Sequence, residues 1–262
     1  MIFTDQTGTR IELRNTPKRI VSIVPSQTEL LYHVGAAPVG QTIFCIKPES
    51  AFKTATKIGG TKKLQLDKIK ALQPDLILGN VEENSKDQIL ALRQEFPVWM
   101  SDIYNLQDAE QMIRAVGEML EKSNESSGLI DRINMSRELL VTAPGIPKRV
   151  LYLIWRKPYM AAGQNTFINS MIELMGWENA ISEVNSRYPE VDRDSMRELN
   201  PDIILLSSEP FPFKEEHVEE LRCQISGPEI VLVDGESFSW YGSRLPHAMD
   251  YLSSLKMKFN QP

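Results

Sequence analysis

Short apolar runs rich in β-branched residues recur along the first hundred residues and alternate with segments of helical spacing. Runs of this kind are typical of strands that are buried on both faces of a sheet. Because the segments between them carry apolar residues at steps of three and four, the pattern predicts parallel strands connected by helices, as in a doubly wound α/β sheet. The predicted strands are 19–24, 38–44, 74–79 and 97–102.

Other local signals place turns and caps around these strands. Residues 2–13 alternate loosely around a turn and predict a short hairpin. Ser26 and Glu29 have the spacing of a capping box, so we expect them to open the first helix, which Gly35 closes. The segment 51–64 contains two adjacent glycines and is predicted to be a loop.

A longer apolar stripe runs from about residue 105 to 142. Asn105 has the character of an N-cap, and Pro144 stops the helix. An unbroken helix of this length would be roughly 55 Å long. We expect one continuous, bent helix; the alternative is two helices with a turn at 126–128, where the stripe lapses and Gly128 weakens the helix.

The chain contains an internal repeat on either side of this helix. The pattern D-x-I/M-x-x-L-x-P-D-L/I-I-L occurs at 67–78 and again at 194–205, offset by 127 positions. A shared register over a dozen positions indicates two similar lobes, although helix-Pro-strand phrases also recur in unrelated α/β proteins. We therefore predict two doubly wound, Rossmann-like α/β lobes, 1–104 and 144–262, joined by the helix 105–143, with a ligand cleft between the lobes.

Composition narrows the function classes. The net charge of −6 argues against a nucleic-acid partner, which usually requires a basic surface. No apolar run approaches the roughly 18 residues of a membrane-spanning helix. The N-terminus has neither the basic nor the apolar region of a signal peptide, so we expect either a cytoplasmic protein or one whose leader was removed and replaced by a start Met. Cys45 and Cys223 allow at most one disulfide.

Catalytic and metal-binding motifs are missing from the sequence. The three histidines are scattered, and no phosphate loop, nucleophile elbow or Cys/His metal spacing occurs. Ser26 is an unsupported nucleophile because no base can be assigned to it. We therefore expect no enzyme, no metal site and no cofactor.

Aromatic and polar side chains follow the predicted strands and suit a large, flat ligand. Such residues in turns favour a binding surface over a core role. The candidate ligand-binding residues are Phe44, Cys45, Lys47, Asn80, Tyr104, Trp155, Arg156, Tyr159, Tyr188, Phe211, Trp240 and Tyr241.

Two acidic residues share the register of the repeat. Glu82 follows the first P-D-hydrophobic strand and Glu209 follows the second, 127 positions later. They are either ordinary solvated loop charges or a matched pair that meets basic residues of a partner with corresponding symmetry.

Several of these stretches together resemble a known family. RIVSIVPSQTELL, LQPDLIL and the mid-chain helix are similar to the substrate-binding proteins of iron-siderophore, haem and vitamin B12 ABC importers, the helical-backbone class. The resemblance covers about residues 4–255. The segments at 159–163 and 176–180 look most like the vitamin B12-binding branch.

The resemblance implies a monomer that captures a metal chelate, cobalamin or another corrinoid first and a ferric siderophore or haem next, and delivers it to an ABC permease in the membrane. It implies a periplasmic location or the outer face of the membrane. Docking would use Glu82 and Glu209, with Glu83 and Glu215 as further candidates, and the ring contacts would be Phe44, Trp155, Tyr188 and Trp240. The alternatives are a cytoplasmic corrinoid- or metal-chelate sensor and a two-lobed chelatase-type enzyme.

Overall fold

A computed structural model describes residues 1–182 and 186–260. The contacts group the chain into two compact units. The first contains Met1–Arg132 and Trp240–Arg244, and the second contains Ile133–Ser239 and Leu245–Pro262. The sequence predicts divisions at the two ends of the connecting segment 105–143, whereas the boundary between Arg132 and Ile133 falls inside this segment. Within the described ranges, no helix is long and apolar enough to cross a bilayer.

The elements of the first unit are β1 Ile2–Thr4, β2 Arg10–Glu12, β3 Ile20–Ser22, α1 Pro25–His33, β4 Gly40–Gln41, α2 Glu49–Thr54, β5 Thr56–Lys57, β6 Gly59–Gly60, β7 Lys63–Leu64, α3 Leu66–Ala71, β8 Leu76–Asn80, α4 Lys86–Arg93, β9 Val98–Ser101 and α5 Leu106–Met119. The unit is built on a five-stranded sheet in the order β5-β4-β3-β8-β9, with every neighbouring pair parallel. The predicted N-terminal hairpin is present as an antiparallel pair, β1 with β2.

The strands β3, β8 and β9 are buried along their whole length, as their uninterrupted apolar sequences predict. The predicted capping box is wrong. Helix α1 starts at Pro25, so its N-cap is Val24, two residues before Ser26, and Val24 makes no side-chain hydrogen bond. Proline suits the first helical position because it has no N–H to satisfy and its φ is already helical. Gly35 follows the helix at φ +76°, as predicted.

The segment 51–64, predicted to be a loop, is largely regular secondary structure. It contains most of helix α2, the edge strand β5, and the antiparallel pair β6 and β7. These elements are too short for periodicity to reveal them.

The connecting segment forms two helices rather than one, so the predicted continuous helix is wrong. Helix α5 ends at Met119, and α6 spans Ser123–Thr142. Glu121 between them has φ +56°, a left-handed conformation that ends a helix. The predicted weak point at 126–128 lies inside α6 and is helical. Asn105 caps α5 as predicted, accepting a hydrogen bond from the Asp108 amide at 3.1 Å.

Gly117 explains where the chain turns. A Cβ atom at Gly117 would lie 2.0 Å from Ser126 Oγ and 3.1 Å from the carbonyl oxygen of Lys122. The first turn of α6 therefore packs directly against the backbone of α5. Gly128, by contrast, has open space around its Cα.

Besides the end of α6, the elements of the second unit are β10 Arg149–Trp155, β11 Met160–Ala161, α7 Phe167–Leu174, β12 Glu178–Asn179, α8 Arg193–Glu198, β13 Ile203–Ser207, α9 Glu215–Arg222, β14 Glu229–Val233, α10 Glu236–Ser239 and α11 Leu245–Lys258. The unit is built on another five-stranded sheet, in the order β11-β10-β13-β14, and β12 also pairs with β10. The β10–β13 and β13–β14 pairs are parallel.

The structure confirms the internal repeat. In the first unit β3 pairs with β8, and Ile77 of β8 faces Val21; in the second, β10 pairs with β13, and Ile204, 127 positions after Ile77, faces Leu151. The residues before the two repeat prolines, Gln73 and Asn200, share the same unusual φ of 43°. Because this agreement extends to backbone conformation, each repeat forms the same helix-turn-strand unit.

Candidate functional site

The carboxyl ends of the first sheet carry exposed apolar side chains. Phe44, in the loop after β4, is 54% exposed, and its neighbours Ile43 and Ile46 are exposed as well. The Phe44 ring lies against Gly60, where a Cβ would come within 3.1 Å of the ring. An apolar cluster left open at a strand end is typical of a ligand surface.

Two further exposed apolar residues, Val81 and Tyr104, follow β8 and β9 at the same end of this sheet. The Tyr104 hydroxyl lies 3.3 Å from Asp102 Oδ2. The sequence predicts Phe44 and Tyr104 at this end of the sheet, but it does not predict that Ile43, Ile46 and Val81 are exposed, because an aliphatic residue beside a strand is ordinarily buried.

Cys45 is placed in the core, which argues against the predicted ligand contact. Its side chain is fully buried, and Sγ lies 3.0 Å from Thr28 Oγ1 and 3.1 Å from Thr42 Oγ1. Burial raises the pKa of this thiol. Lys47, two residues on, is half-buried in the same loop.

Asn80 is likewise buried, and its side chain organises a loop. Its Oδ1 accepts hydrogen bonds from the amides of Glu82 at 2.9 Å and Glu83 at 3.1 Å, while Nδ2 donates to Ser101 Oγ at 3.0 Å. Because both ends of its side-chain amide are hydrogen-bonded within the protein, Asn80 supports the loop that carries Glu82 and Glu83. Its burial leaves almost no surface for a ligand.

Asn84 fixes the other end of that loop, and sequence reasoning missed it. Its Oδ1 accepts a hydrogen bond from the backbone N–H of Asn80 at 2.8 Å, and its Nδ2 donates to the backbone carbonyls of Ile23 and Thr61, each at 3.1 Å. Nothing in the sequence distinguishes this asparagine from any other in a loop.

In the second unit the structure brings four predicted residues to the ends of β10 and β13. The ring of Trp155, 40% exposed, meets the Phe211 ring edge-on at 5.9 Å. Tyr159 and Phe211 both pack on the core cluster of this unit. Arg156 is mostly buried and pairs with Glu220 at 2.5 Å. Trp155, Tyr159 and Phe211 thus form an aromatic wall, the name used below for these three rings, and the charge of Arg156 beside them is neutralised by Glu220.

Phe213 and His217 extend this wall. The Phe211 ring is 4.8 Å from Phe213 and 5.3 Å from His217. His217 Nδ1 accepts a hydrogen bond from the Lys214 amide at 2.9 Å, which caps α9. The imidazole is therefore structural. Among residues 1–182 and 186–260, no group of three or more His, Cys, Asp or Glu could hold a metal ion.

The remaining predicted rings lie elsewhere. Tyr188 is half-buried, with the Arg187 guanidinium 5.9 Å from its ring. Trp240 and Tyr241 are buried in the first unit, where Arg244 lies 5.0 Å over the Trp240 ring and forms a two-point ion pair with Glu29. Their burial leaves little surface for a ligand, so packing accounts for these two residues better than ligand contact.

The two glutamates predicted to match occupy equivalent positions. Glu82 and Glu209 are both half-buried, and each lies two residues after the last residue of a strand. In each loop the glutamate backbone N–H donates to the side chain of the last strand residue. The Glu209 amide lies 3.3 Å from Ser207 Oγ, and the Glu82 amide donates to Asn80 Oδ1. Glu215 instead begins α9, where the corresponding first residue of α4 is a lysine.

The protein-family comparison identifies the chain. The model of the family "Periplasmic binding protein" matches residues 20–222, well over half of the chain. The chain belongs to this family. It is a substrate-binding protein of the helical-backbone class and not an enzyme.

Individual relatives agree with this assignment. The vitamin B12-binding protein of Yersinia pestis (strain Pestoides F) is 25% identical over 199 residues, which span 72% of this chain and 69% of the relative. The periplasmic vitamin B12 binding protein BtuF of Vibrio cholerae has a TM-score of 0.78 at 19% identity, over 94% of this chain and 99% of that one. The periplasmic heme-binding protein RhuT from Roseiflexus sp. RS-1 has a TM-score of 0.80 at 21% identity, over 93% and 99%. At these identities, the two structures show a shared fold.

Proposed function

We propose that this binding protein captures a metal chelate for an ABC importer and delivers it to the permease. Cobalamin or another corrinoid is the first choice of ligand, and haem or a ferric siderophore is the next. The relatives named for vitamin B12 and haem support this range. We place its action in the periplasm or on the outer face of the membrane, as a monomer.

The observation that carries the proposal is the exposure of aromatic rings at strand ends in both units. Phe44 and Tyr104 in the first unit and Trp155 in the second leave much of their surface in water. Leaving rings exposed forfeits the stabilisation that burial would give, and flat macrocycles bind well to such surfaces. We assign ligand contact to these rings and also to Lys47, Arg156, Tyr159, Tyr188 and Phe211.

The test of ligand binding is calorimetry with cyanocobalamin, cobinamide, haemin and a ferric siderophore. We expect one of them to bind with about one-to-one stoichiometry and to shift its absorption spectrum. Mass spectrometry of protein purified from its own host should show the same chelate. Failure of all four to bind would overturn the proposal.

For docking, we assign Glu82 and Glu209 to basic residues of the permease. Equivalent positions and similarly supported backbones are what a partner with matching halves would require. Changing both residues to lysine should weaken permease binding and leave chelate affinity intact. Glu198→Lys is the matched control, because it reverses an exposed charge on α8 of the second unit, before β13, and Glu198 is not a docking candidate. An equal loss of chelate affinity in the double variant would move the glutamates into the ligand site.

A further inference from the structure

The loop that carries Glu209 packs directly against the turn after β14. A Cβ atom at Gly235 would lie 2.4 Å from Ser207 Oγ and 2.7 Å from Glu209 Cγ. Only glycine allows this approach. The Gly235 amide also donates to Ser208 Oγ at 2.9 Å, so the two segments are joined by a hydrogen bond as well as by contact.

At the end of this turn, Ser239 reaches the glutamate side chain itself. Its Oγ lies 2.6 Å from Glu209 Oε1 and 2.9 Å from the carbonyl oxygen of Gly235. A hydroxyl has one hydrogen, so it can donate to only one of these acceptors at a time. The shorter distance and the charge of the carboxylate favour donation to Glu209.

We propose that Ser239 is a positioning residue that holds the Glu209 carboxylate in the orientation used for docking. This inference rests on the proposed function of Glu209. A glutamate side chain has three rotatable bonds, and binding a partner requires that they be fixed. The hydroxyl fixes them before the partner arrives, so less ordering remains to be done on docking.

The backbone at Glu82 is held on both sides. Asn80 Oδ1 accepts a hydrogen bond from its amide, and the Lys62 ammonium group donates to its carbonyl oxygen. These contacts fix the backbone of the loop that carries Glu82.

The test compares Ser239→Ala with Ser239→Thr, which keeps the hydroxyl. The matched control is Ser254→Ala, because Ser254 Oγ donates to the carbonyl four residues back at 3.0 Å and lies in a helix of the same unit. Two properties are measured: the χ1 and χ2 rotamer populations of Glu209, from three-bond NMR couplings, and affinity for the permease of the source organism in lipid nanodiscs.

We expect Ser239→Ala to average the Glu209 rotamers and to weaken permease binding about two- to tenfold, the range for ordering one flexible side chain. Ser239→Thr and Ser254→Ala should match the parent chain in both measurements, and chelate affinity should not change in any variant. A single Glu209 rotamer in Ser239→Ala, or averaged rotamers without weaker docking, would overturn the inference.

Glu209→Gln separates this inference from the proposed function. If that variant docks as well as the parent chain, the docking role of Glu209 is wrong. If it docks poorly while Ser239→Ala docks normally, the docking role stands and the positioning role of Ser239 fails.

Discussion

Asp75 and Asp202, 127 positions apart, anchor the start of a sheet strand in the same way. Asp75 Oδ1 accepts a hydrogen bond from the Arg19 amide at 2.8 Å, and Asp202 Oδ2 accepts one from the Arg149 amide at 2.7 Å. Each aspartate amide in turn donates to the carbonyl of the same arginine. The aspartate of each P-D motif thus clamps the strand beside it.

Replacing either aspartate by alanine should lower the free energy of unfolding by about 1–2 kcal/mol, because each change leaves a backbone amide without its charged acceptor. Urea denaturation measures the loss. Asp194→Ala is the control: its ion pair with Arg197 is exposed, and its removal should cost less than about 0.5 kcal/mol. A similar loss in all three variants would contradict the clamp.

The repeat shows how far sequence alone reaches. Leu72, Pro74 and Asp75 reveal the register because each has a local structural reason, a helix end, a turn and a strand clamp, that recurs in the second unit. Buried strands were found for the same reason, since their apolar runs report burial directly.

Contacts between distant residues were not predictable. The apolar stripe of α5 runs on through Leu120 without a break, and only the approach of Ser126 to Gly117 shows why the chain turns there. Cys45 looked like a loop residue with Phe44, but Thr28 and Thr42 enclose it. The sequence predicted Phe44, Tyr104 and Trp155 at strand ends, where the structure leaves them exposed, but not the contacts of Ser239 and Asn84, which depend on geometry alone.

The two glycines of the connecting segment should respond to alanine with opposite signs. Gly117→Ala forces Cβ into Ser126 and should destabilise the chain by about 1–3 kcal/mol. Gly128→Ala meets nothing within 4 Å inside helix α6 and should stabilise it by about 0.5–1 kcal/mol. Urea denaturation midpoints give both signs, and a stabilising Gly117→Ala would show that α6 does not pack against α5 there.

The exposed rings should contribute to ligand affinity far more than to stability. Phe44→Ala and Trp155→Ala are each expected to weaken chelate binding about 10- to 100-fold. Since 54% of Phe44 and 40% of Trp155 is already exposed, each change should lower the unfolding free energy less than removing a fully buried ring would. Met135→Ala is the control, because Met135 is an even more exposed apolar residue on α6. Calorimetry with whichever of the four test chelates binds the parent chain measures the effect, and an equal loss in Met135→Ala would contradict the assignment of the two rings.

His33 should make stability depend on pH. Its Nε2 lies 2.8 Å from an Arg132 guanidinium nitrogen, and its pKa is lowered by partial burial and by Arg132, with Glu29 opposing the shift. A histidine with a lowered folded pKa contributes stability that is present above the unfolded value of about 6.5 and is lost as pH falls toward the folded pKa. His33→Gln should therefore reduce the loss of unfolding free energy measured by urea between about pH 8 and about pH 5. A larger loss in the variant would reverse the sign and contradict the assignment.

The two cysteines should differ sharply in reactivity. Both are free thiols, Cys45 buried and Cys223 exposed. Burial raises the pKa of Cys45, although hydrogen bonds from Thr28 and Thr42 partly oppose the shift, so little thiolate forms and reagents have no access to it. A colorimetric thiol reagent should label one cysteine in the native protein and two after denaturation in guanidinium. Cys223→Ser should abolish the native reaction, because the exposed thiol is then missing. If Cys223→Ser still reacted fast before denaturation, Cys45 would have to be accessible, and its assignment to the core of the first unit, in place of the ligand surface, would be wrong.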